Sequence, residues 1–457
     1  MIVMKFGGTS VEDAAALQRA AQIIADSLER RPVVVLSAMA GATDRLLRCA
    51  QLAANGNLHQ ARELLYQLRQ HHEREACKCI DCFSDSPVAA TLAKYFTDLE
   101  NLLEALSVLG ENSPRSQDAV SSYGERLSTL LFSRLLEQQG VRATLTDSRQ
   151  LIRTDSEFTR AAPDFAATEK NLHDFLPQLY QQGQVPILQG FIGSDENGVT
   201  TTLGRGGSDY SAAIIGSLLD AEEIQIWTDV PGILTADPKL VPNARKIRTI
   251  SFAEASELAY FGARVLHPST IQPAVEKNIP VRVLDSRNPQ GRGTQILATA
   301  PQGRNPIKSI AHKRGIVVVN VSSTRMLMAY GFLKTLFEIF DRHQRSVDMV
   351  TTSEVSVSLT LDNAEKLDVI ARDLSRIGAV QVQRNKAIIC LVGDNIKFTP
   401  GVAGQVFSAA NSVNIHMISQ GASEINLSFV VDEEKVIEAV RRLHEHFFSD
   451  PDPEIFE

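Results

Sequence analysis

Ile2-Val3-Met4-Lys5-Phe6-Gly7-Gly8-Thr9-Ser10 sets the reading of the chain: a short apolar run, then two glycines and a hydroxyl pair. Residues 2–6 read as a buried strand, residues 11–30 as a helix with its stripe at Ala14, Leu17, Ala21, Ile24 and Leu28, and the β-branched run 33–36 as the next strand. Strand, helix and strand at this spacing imply a right-handed crossover in a parallel sheet. The glycine pair lets the backbone approach a ligand, a helix start offers unpaired N–H groups to an anion, and Lys5 adds a point charge beside them. Lysine leads the glycines here, unlike the GxxxxGK[ST] loop in which it follows. Read only as a turn, the same residues make Ser10 an N-cap with Asp13 completing a capping box.

Outward from this stretch, residues 44–110 are nearly all helical in pattern, and a further helix covers 128–138. Strands return at 143–146, 185–192, 224–227 and 281–284, so residues 1–300 read as one large α/β unit ending near the loose stretch 300–306. After Ile307 the texture changes to two βαββα repeats of roughly 70 residues. The second copy lacks a closing strand, which residues 307–312 are expected to supply. The expected divisions are 1–300, 307–385 and 386–457.

The chain has 457 residues, about three domains at roughly 150 each, with 44% hydrophobic and 22% charged residues, a globular balance. Its 46 Lys+Arg against 54 Asp+Glu give −8, which argues against a nucleic-acid or anionic-membrane surface. With no apolar run of membrane-spanning length, no signal-peptide pattern and five Cys, a cytoplasmic protein without a disulfide framework is expected.

Three more motifs carry chemistry. Thr201-Thr202-Leu203-Gly204-Arg205-Gly206-Gly207-Ser208-Asp209 precedes a helix and sets an arginine, able to hold a carboxylate bidentately, among glycines. Ser122-Tyr123-Gly124-Glu125 offers a carboxylate for a substrate ammonium. Trp227-Thr228-Asp229-Val230-Pro231-Gly232 runs from a strand into a turn, where open α/β sheets bind ligands. His71, His72, Cys77, Cys79 and Cys82 tempt a metal reading, but they fall in a helical stretch with no second pair to complete a tetrahedral set, and read as reduced thiols on a helix surface.

These motifs, with Phe-Gly-Ala-Arg-Val-Leu-His-Pro at 261–268, occur in the order found in aspartokinases, and the chain closely resembles that family over essentially its whole length, most of all the monofunctional, lysine-sensitive type. The resemblance implies an α/β fold: the three-layer αβα sandwich of the amino-acid kinases with a mainly parallel sheet, followed by two α+β, ferredoxin-like ACT regulatory domains. It implies transfer of the ATP γ-phosphoryl group, with Mg²⁺, to the side chain of L-aspartate, giving 4-phospho-L-aspartate for lysine, threonine, methionine and diaminopimelate synthesis. A carboxylate with a reference pKa near 3.9 needs no general base; it needs two anions aligned and their charge neutralised.

By that match, Lys5 and Asp209 are catalytic, and Gly7, Gly8, Ser37, Thr43, Glu125, Arg205, Gly206, Gly207 and Ser208 bind substrate. Arg205 takes the aspartate α-carboxylate and Glu125 its ammonium. Thr228, Asp229, Leu234, Lys239 and Arg264 contact ATP, and Mg²⁺ is held mainly by the nucleotide phosphates rather than by a protein cluster. The family usually has Tyr at 234, Arg at 239 and Lys at 264, so this nucleotide pocket departs from the pattern. Lysine as effector implies Met326, Ala329, Leu333, Ser346, Val347, Asp348, Ser353 and Glu354, where Ala329 replaces an expected Ser; Val347 and Val355 also read as core strand positions. A homodimer or tetramer through the ACT domains is implied. Alternatives that keep the fold are a kinase of another amino acid or a catalytically silent amino-acid sensor.

Overall fold

The computed structural model describes residues 1–262, 268–326 and 330–457, and the chain forms two units, one of Met1–Gly232 with Val265–Thr299, the other of Ile233–Arg264 with Ala300–Glu457. In the first, β1 (Ile2–Phe6), β2 (Pro32–Leu36), β3 (Ala143–Thr146), β4 (Val185–Gln189) and β7 (Glu223–Thr228) are parallel. The hairpin of β5 (Ile192–Ser194) and β6 (Thr200–Thr202) stands apart from them. After β8 (Thr249–Ser251), which belongs to the second unit, β9 (Val281–Asp285) pairs parallel with β7, and β10 (Thr294–Leu297) antiparallel with β9. The order across this unit is β3-β4-β2-β1-β7-β9-β10.

Strand β1 is buried from end to end, as its unbroken apolar run requires of a strand covered on both faces. It lies between β2 and β7, with Phe6 opposite both Leu36 and Trp227, so the sheet order diverges on either side of it. The carboxyl ends of these three strands therefore bound the crevice where such sheets bind ligands. The pleat sends Ile2, Met4 and Phe6 into the core built with helices Ala14–Ala25, Ala42–Ala54, Leu58–Cys79, Pro87–Leu109 and Tyr123–Gln138. Val3 and Lys5 face the other way, toward helix Gly207–Leu218, where Val3 approaches Gly216. Lys5 thus has its direction from the pleat.

The second unit contains β11 (Ile307–Ser322), β12 (Val350–Thr352), β13 (Ser356–Leu361), β14 (Ala379–Gly393), β15 (Met417–Gln420) and β16 (Asn426–Asp432) in one antiparallel sheet, ordered β12-β13-β11-β14-β16-β15. The first half of β11 pairs with β14 from Ile307↔Gly393 to Lys313↔Ile388; the second half pairs with both β13 and the start of β14. The two strands expected at 380–383 and 387–392 are one continuous strand.

Residues 233–264 pack within the second unit, where Glu254, capping helix Phe252–Tyr260, forms a wholly buried pair with Lys308 of β11 at 2.9 Å. Thr235 also bonds His444 at 2.9 Å, Ser309 bonds the Leu234 carbonyl at 2.8 Å, and Asn426 bonds Glu257 at 2.7 Å. Val355 is 42% exposed and Val347 precedes β12 in a loop, so neither is a core strand position, although Val347 packs against the core of the first repeat.

Candidate active site

At the end of β1, Lys5 Nζ lies 2.6 Å from Asp209 Oδ1, both side chains largely buried. The Gly7 N–H donates to the Trp227 carbonyl at 2.9 Å, which ties the glycine turn to the end of β7. A Cβ on Gly8 would stand 3.0 Å from the Ala38 carbonyl oxygen, so this glycine permits a close backbone crossing. Ser10 is not the cap of the first helix. It ends a short 3₁₀ turn, Gly8–Ser10, and its hydroxyl contacts the Trp227 carbonyl and Ser286 Oγ. Asp13 caps helix Ala14–Ala25 instead, accepting from the Ala16 N–H at 2.8 Å.

Glu125 sits in the first turn of helix Tyr123–Gln138, 3% exposed. Its Oε1 accepts the Ala38 N–H at 3.2 Å, while Oε2 has no partner among the described residues. Burial pushes this carboxyl up to about 8, against the opposing pull of the Ala38 N–H and the Lys5 charge. Gly124 makes the geometry possible, since a Cβ there would stand 2.8 Å from the Ala38 Cβ. Ser37 is held at its carbonyl by Ser128 Oγ at 2.7 Å, and Thr43 opens helix Ala42–Ala54 behind Gly41.

The arginine loop leads into helix Gly207–Leu218. Gly204 and Gly206 adopt φ of 78° and 71°, the left-handed region glycine favours, and Arg205 between them is exposed. No side chain caps this helix; its first N–H, from Gly207, donates to the Gly204 carbonyl at 2.9 Å, and the next ones, from Ser208 and Asp209, face the position an anion would take. Ser208 packs so tightly on Gly190 that a Cβ there would stand 2.6 Å from the Ser208 Cβ.

These elements enclose a cavity of about 500 Å³ lined by Lys5, Gly8, Ser37, Thr43, Glu125, Arg205, Gly206, Gly207, Ser208 and Asp209 among others. Sequence reasoning missed Asp118, Thr159, Phe191 and Thr202 in the same lining, and Gly190 behind it. Thr202 lies in the arginine motif with nothing to mark it as a lining residue, and Asp118 is a single acid in a helix, Pro114–Ser121, that the sequence pattern does not announce. The cavity pairs cationic groups and helix starts with carboxylates, the charge pattern a zwitterion needs.

Other expected residues lie outside that lining. Gly7 stands just behind Lys5, a Cβ on it falling 3.5 Å from Nζ. Thr228 and Asp229 follow β7, the Thr228 hydroxyl donating to Asp229 at 3.2 Å and its carbonyl receiving the Ser286 N–H at 2.8 Å. Leu234 and exposed Lys239 belong to the second unit, and Arg264 lies outside the described residues. Of the effector set, Ala329 also lies outside them; Met326 ends a 3₁₀ turn, Leu333 is 41% exposed, and Ser346, Ser353 and Glu354 are exposed.

Asp348 is already engaged. It accepts the Tyr260 hydroxyl, and Lys313 Nζ lies 3.4 Å from its other oxygen. Burial and the neighbouring Asp362 carboxyl hold Asp348 above the usual carboxylate range, against Tyr260 and Lys313. The 71–82 group is not a surface cluster: His72 and Cys79 are buried, His72 Nδ1 facing the Leu68 carbonyl at 2.8 Å, whereas Cys77 and Cys82 are exposed.

Comparison with known proteins agrees with this architecture. The amino acid kinase family profile matches residues 1–285, and an ACT domain profile matches 389–447. The chain is 39% identical to the lysine-sensitive aspartokinase 3 of Escherichia coli K12, covering 98% of this chain and 99% of that protein. Among solved structures, E. coli aspartokinase III in complex with aspartate and ADP (R-state) is 39% identical with a TM-score of 0.83, covering 98% of this chain and 100% of that one. The same enzyme in complex with lysine and aspartate (T-state) is 38% identical with a TM-score of 0.84, covering 98% and 99%.

Proposed function

The chain belongs to the aspartokinase family, and we infer that the cavity between Lys5, Glu125 and Arg205 is where it phosphorylates L-aspartate with ATP, forming 4-phospho-L-aspartate. The observation that carries this assignment of residues is Glu125 Oε2, a buried carboxylate oxygen without a partner among the described residues, in a cavity that also presents an arginine. Leaving such an atom unmatched is costly, and an amino acid's ammonium relieves that cost on binding. Arg205 takes the α-carboxylate; Ser37, Thr43, Ser208 and the N–H of Gly206 complete the pocket, which Gly207 lines while its own N–H donates to the Gly204 carbonyl.

The reaction then needs no base. An oxygen of the β-carboxylate attacks the γ-phosphorus, the bond from that phosphorus to the bridging oxygen breaks, and ADP leaves with the electron pair. Lys5, oriented by Asp209, and the backbone N–H of Gly8 offset charge on the transferring group, while the Gly7 N–H, expected to do the same, is spent on the Trp227 carbonyl. Thr228 and Asp229 carry nucleotide contacts at the end of β7, and the assignments of Leu234, Lys239 and Arg264 rest on the sequence resemblance. Mg²⁺ suits this arrangement as a companion of the nucleotide phosphates: among the described residues no group of three or more His, Cys, Asp or Glu side chains is placed to hold a metal, and Asp209 is committed to Lys5. Bound there, the ion would neutralise phosphate charge.

We assign the ACT repeats to 307–385 and 386–457 and the effector to L-lysine, bound by the residues around Asp348. That a lysine ammonium, Lys313, already lies beside Asp348 supports the chemistry of the match. Exposed Tyr330, just before helix Phe332–Arg342, and exposed Leu333 and Phe337 within it support a homodimer formed through the first ACT repeat. Among the described residues no helix is long and apolar enough to cross a membrane, and we place the enzyme in the cytoplasm.

Hydroxylamine trapping tests the substrate assignment. L-aspartate with ATP and Mg²⁺ is expected to give the hydroxamate, and N-acetyl-L-aspartate, lacking the ammonium, is expected to give at most a trace. Equal product from both would remove Glu125 from the pocket.

A further inference from the structure

Asp118 has no part in the reaction described above, yet it is 1% exposed and lines the substrate cavity. Its carboxylate is a hub for groups distant in sequence. Oδ1 accepts the Thr202 hydroxyl at 2.6 Å, and Oδ2 accepts the backbone N–H of Thr202 and of Thr159, each at 2.9 Å. Burial raises its pKa, opposed by these same three donors.

Both partners hold the arginine loop. Thr202 ends β6, two residues before the Gly204-Arg205-Gly206 turn. Thr159 is a β-branched residue at φ 71°, a conformation that persists only when its surroundings impose it. Its carbonyl oxygen lies 3.1 Å from where a Cβ on Gly204 would stand, so the Thr159 loop backs directly onto the turn. The Ala161 N–H to Thr202 carbonyl bond at 2.9 Å and the Thr154–Thr201 hydroxyl contact at 2.7 Å fasten the two segments together. Phe191, another cavity residue with positive φ (69°), accepts the Leu203 N–H at 2.9 Å on the same strand end.

Arg205 itself is exposed, stands between two glycines, and makes no ion pair among the described residues. Nothing on its own side chain fixes its place; the backbone beneath it does. We propose that Asp118 is a positioning residue for L-aspartate recognition, locking Thr202 and Thr159 so that Arg205 is presented at the α-carboxylate. The proposal rests on the reading of Arg205 given above.

Steady-state kinetics on the full-length protein test it, with Asp118→Asn, Arg205→Ala and the double variant. Asp118→Asn is the informative change: its carbonyl still accepts the two backbone N–H groups, so the fold is retained, checked by circular dichroism and the urea midpoint. It loses the charge and turns the Thr202 hydroxyl from donor to acceptor. The expected result is a KM for L-aspartate raised roughly tenfold with the KM for ATP within about twofold of wild type. In the Arg205→Ala background, Asp118→Asn is expected to add less than about twofold, because its effect passes through Arg205. Thr202→Val, which removes only the hydroxyl contact, is expected to fall between wild type and Asp118→Asn. Additive losses in the two backgrounds, or equal losses toward ATP and aspartate, would overturn the positioning role. If Arg205→Ala raises the KM for aspartate and Asp118→Asn does not, only the role of Asp118 fails. If Arg205→Ala leaves that KM unchanged, the Arg205 assignment fails and takes this proposal with it.

Discussion

Glu125 turns one carboxylate oxygen to the Ala38 N–H at 3.2 Å and leaves the other buried in the same cavity without a partner among the described residues. The pair fixes which oxygen is free for substrate and why the site responds to pH. Burial raises the Glu125 carboxyl from its ordinary value of 4.5 to about 8, so below that pH the free enzyme holds it mainly protonated. Ammonium binding uses the carboxylate. The kcat/KM for L-aspartate is therefore expected to climb with pH and level off above about 8, and Glu125→Gln to lose that rise along with most activity. The sign for stability is opposite: the folded chain prefers the protonated form, so Glu125 withdraws stability as pH rises from 4.5 to about 8. A flat wild-type pH profile across this range would count against the assignment.

Gly190 should not tolerate a methyl group. A Cβ there meets the Ser208 backbone and side chain at 2.6–2.8 Å, and those atoms open the helix that carries Asp209. Gly190→Ala is expected to cut kcat/KM by roughly a hundredfold by displacing that helix start, since small misplacements are costly in aligned reactions. Unchanged kinetics would show that the helix start need not be held there.

The buried Lys308–Glu254 pair predicts a stability effect in the second unit. Both side chains are 2% exposed, and Glu254 also closes the capping box on Ser251. Lys308→Met leaves a buried carboxylate uncompensated and is expected to cost about 3–5 kcal/mol in urea unfolding. Adding Glu254→Gln should recover part of that loss.

Asp348→Asn is expected to abolish inhibition by L-lysine while leaving hydroxamate formation without lysine near wild type. Because Asp348 is held above the usual carboxylate range by burial and Asp362, protonation near the acid end should also weaken lysine inhibition of the wild type. Titration calorimetry with lysine at two pH values checks both statements.

The sequence revealed the parts of the site built from neighbouring residues. A glycine turn after an apolar strand, a glycine beside a glutamate, and an arginine among glycines all act through local backbone, and all three line one cavity. Asp118 was invisible because its partners, Thr159 and Thr202, lie 41 and 84 residues away and nothing in its own helix marks it. The attachment of the stretch 233–264 to β11 was invisible for the same reason: it depends on Lys308, 54 residues beyond Glu254, and not on any local pattern. Ser10 was read as a helix cap because its type fits one, but a hydroxyl beside the ends of β7 and β9 finds partners there first.

The most direct test of the account is the rate of aspartyl hydroxamate formation by Lys5→Ala, with lysine binding measured on the same sample as a control for folding. Lys5 Nζ pairs with Asp209 at the end of β1, 2.6 Å away. The account predicts turnover reduced at least roughly a thousandfold with lysine affinity unchanged. Turnover near that of the wild type would contradict it.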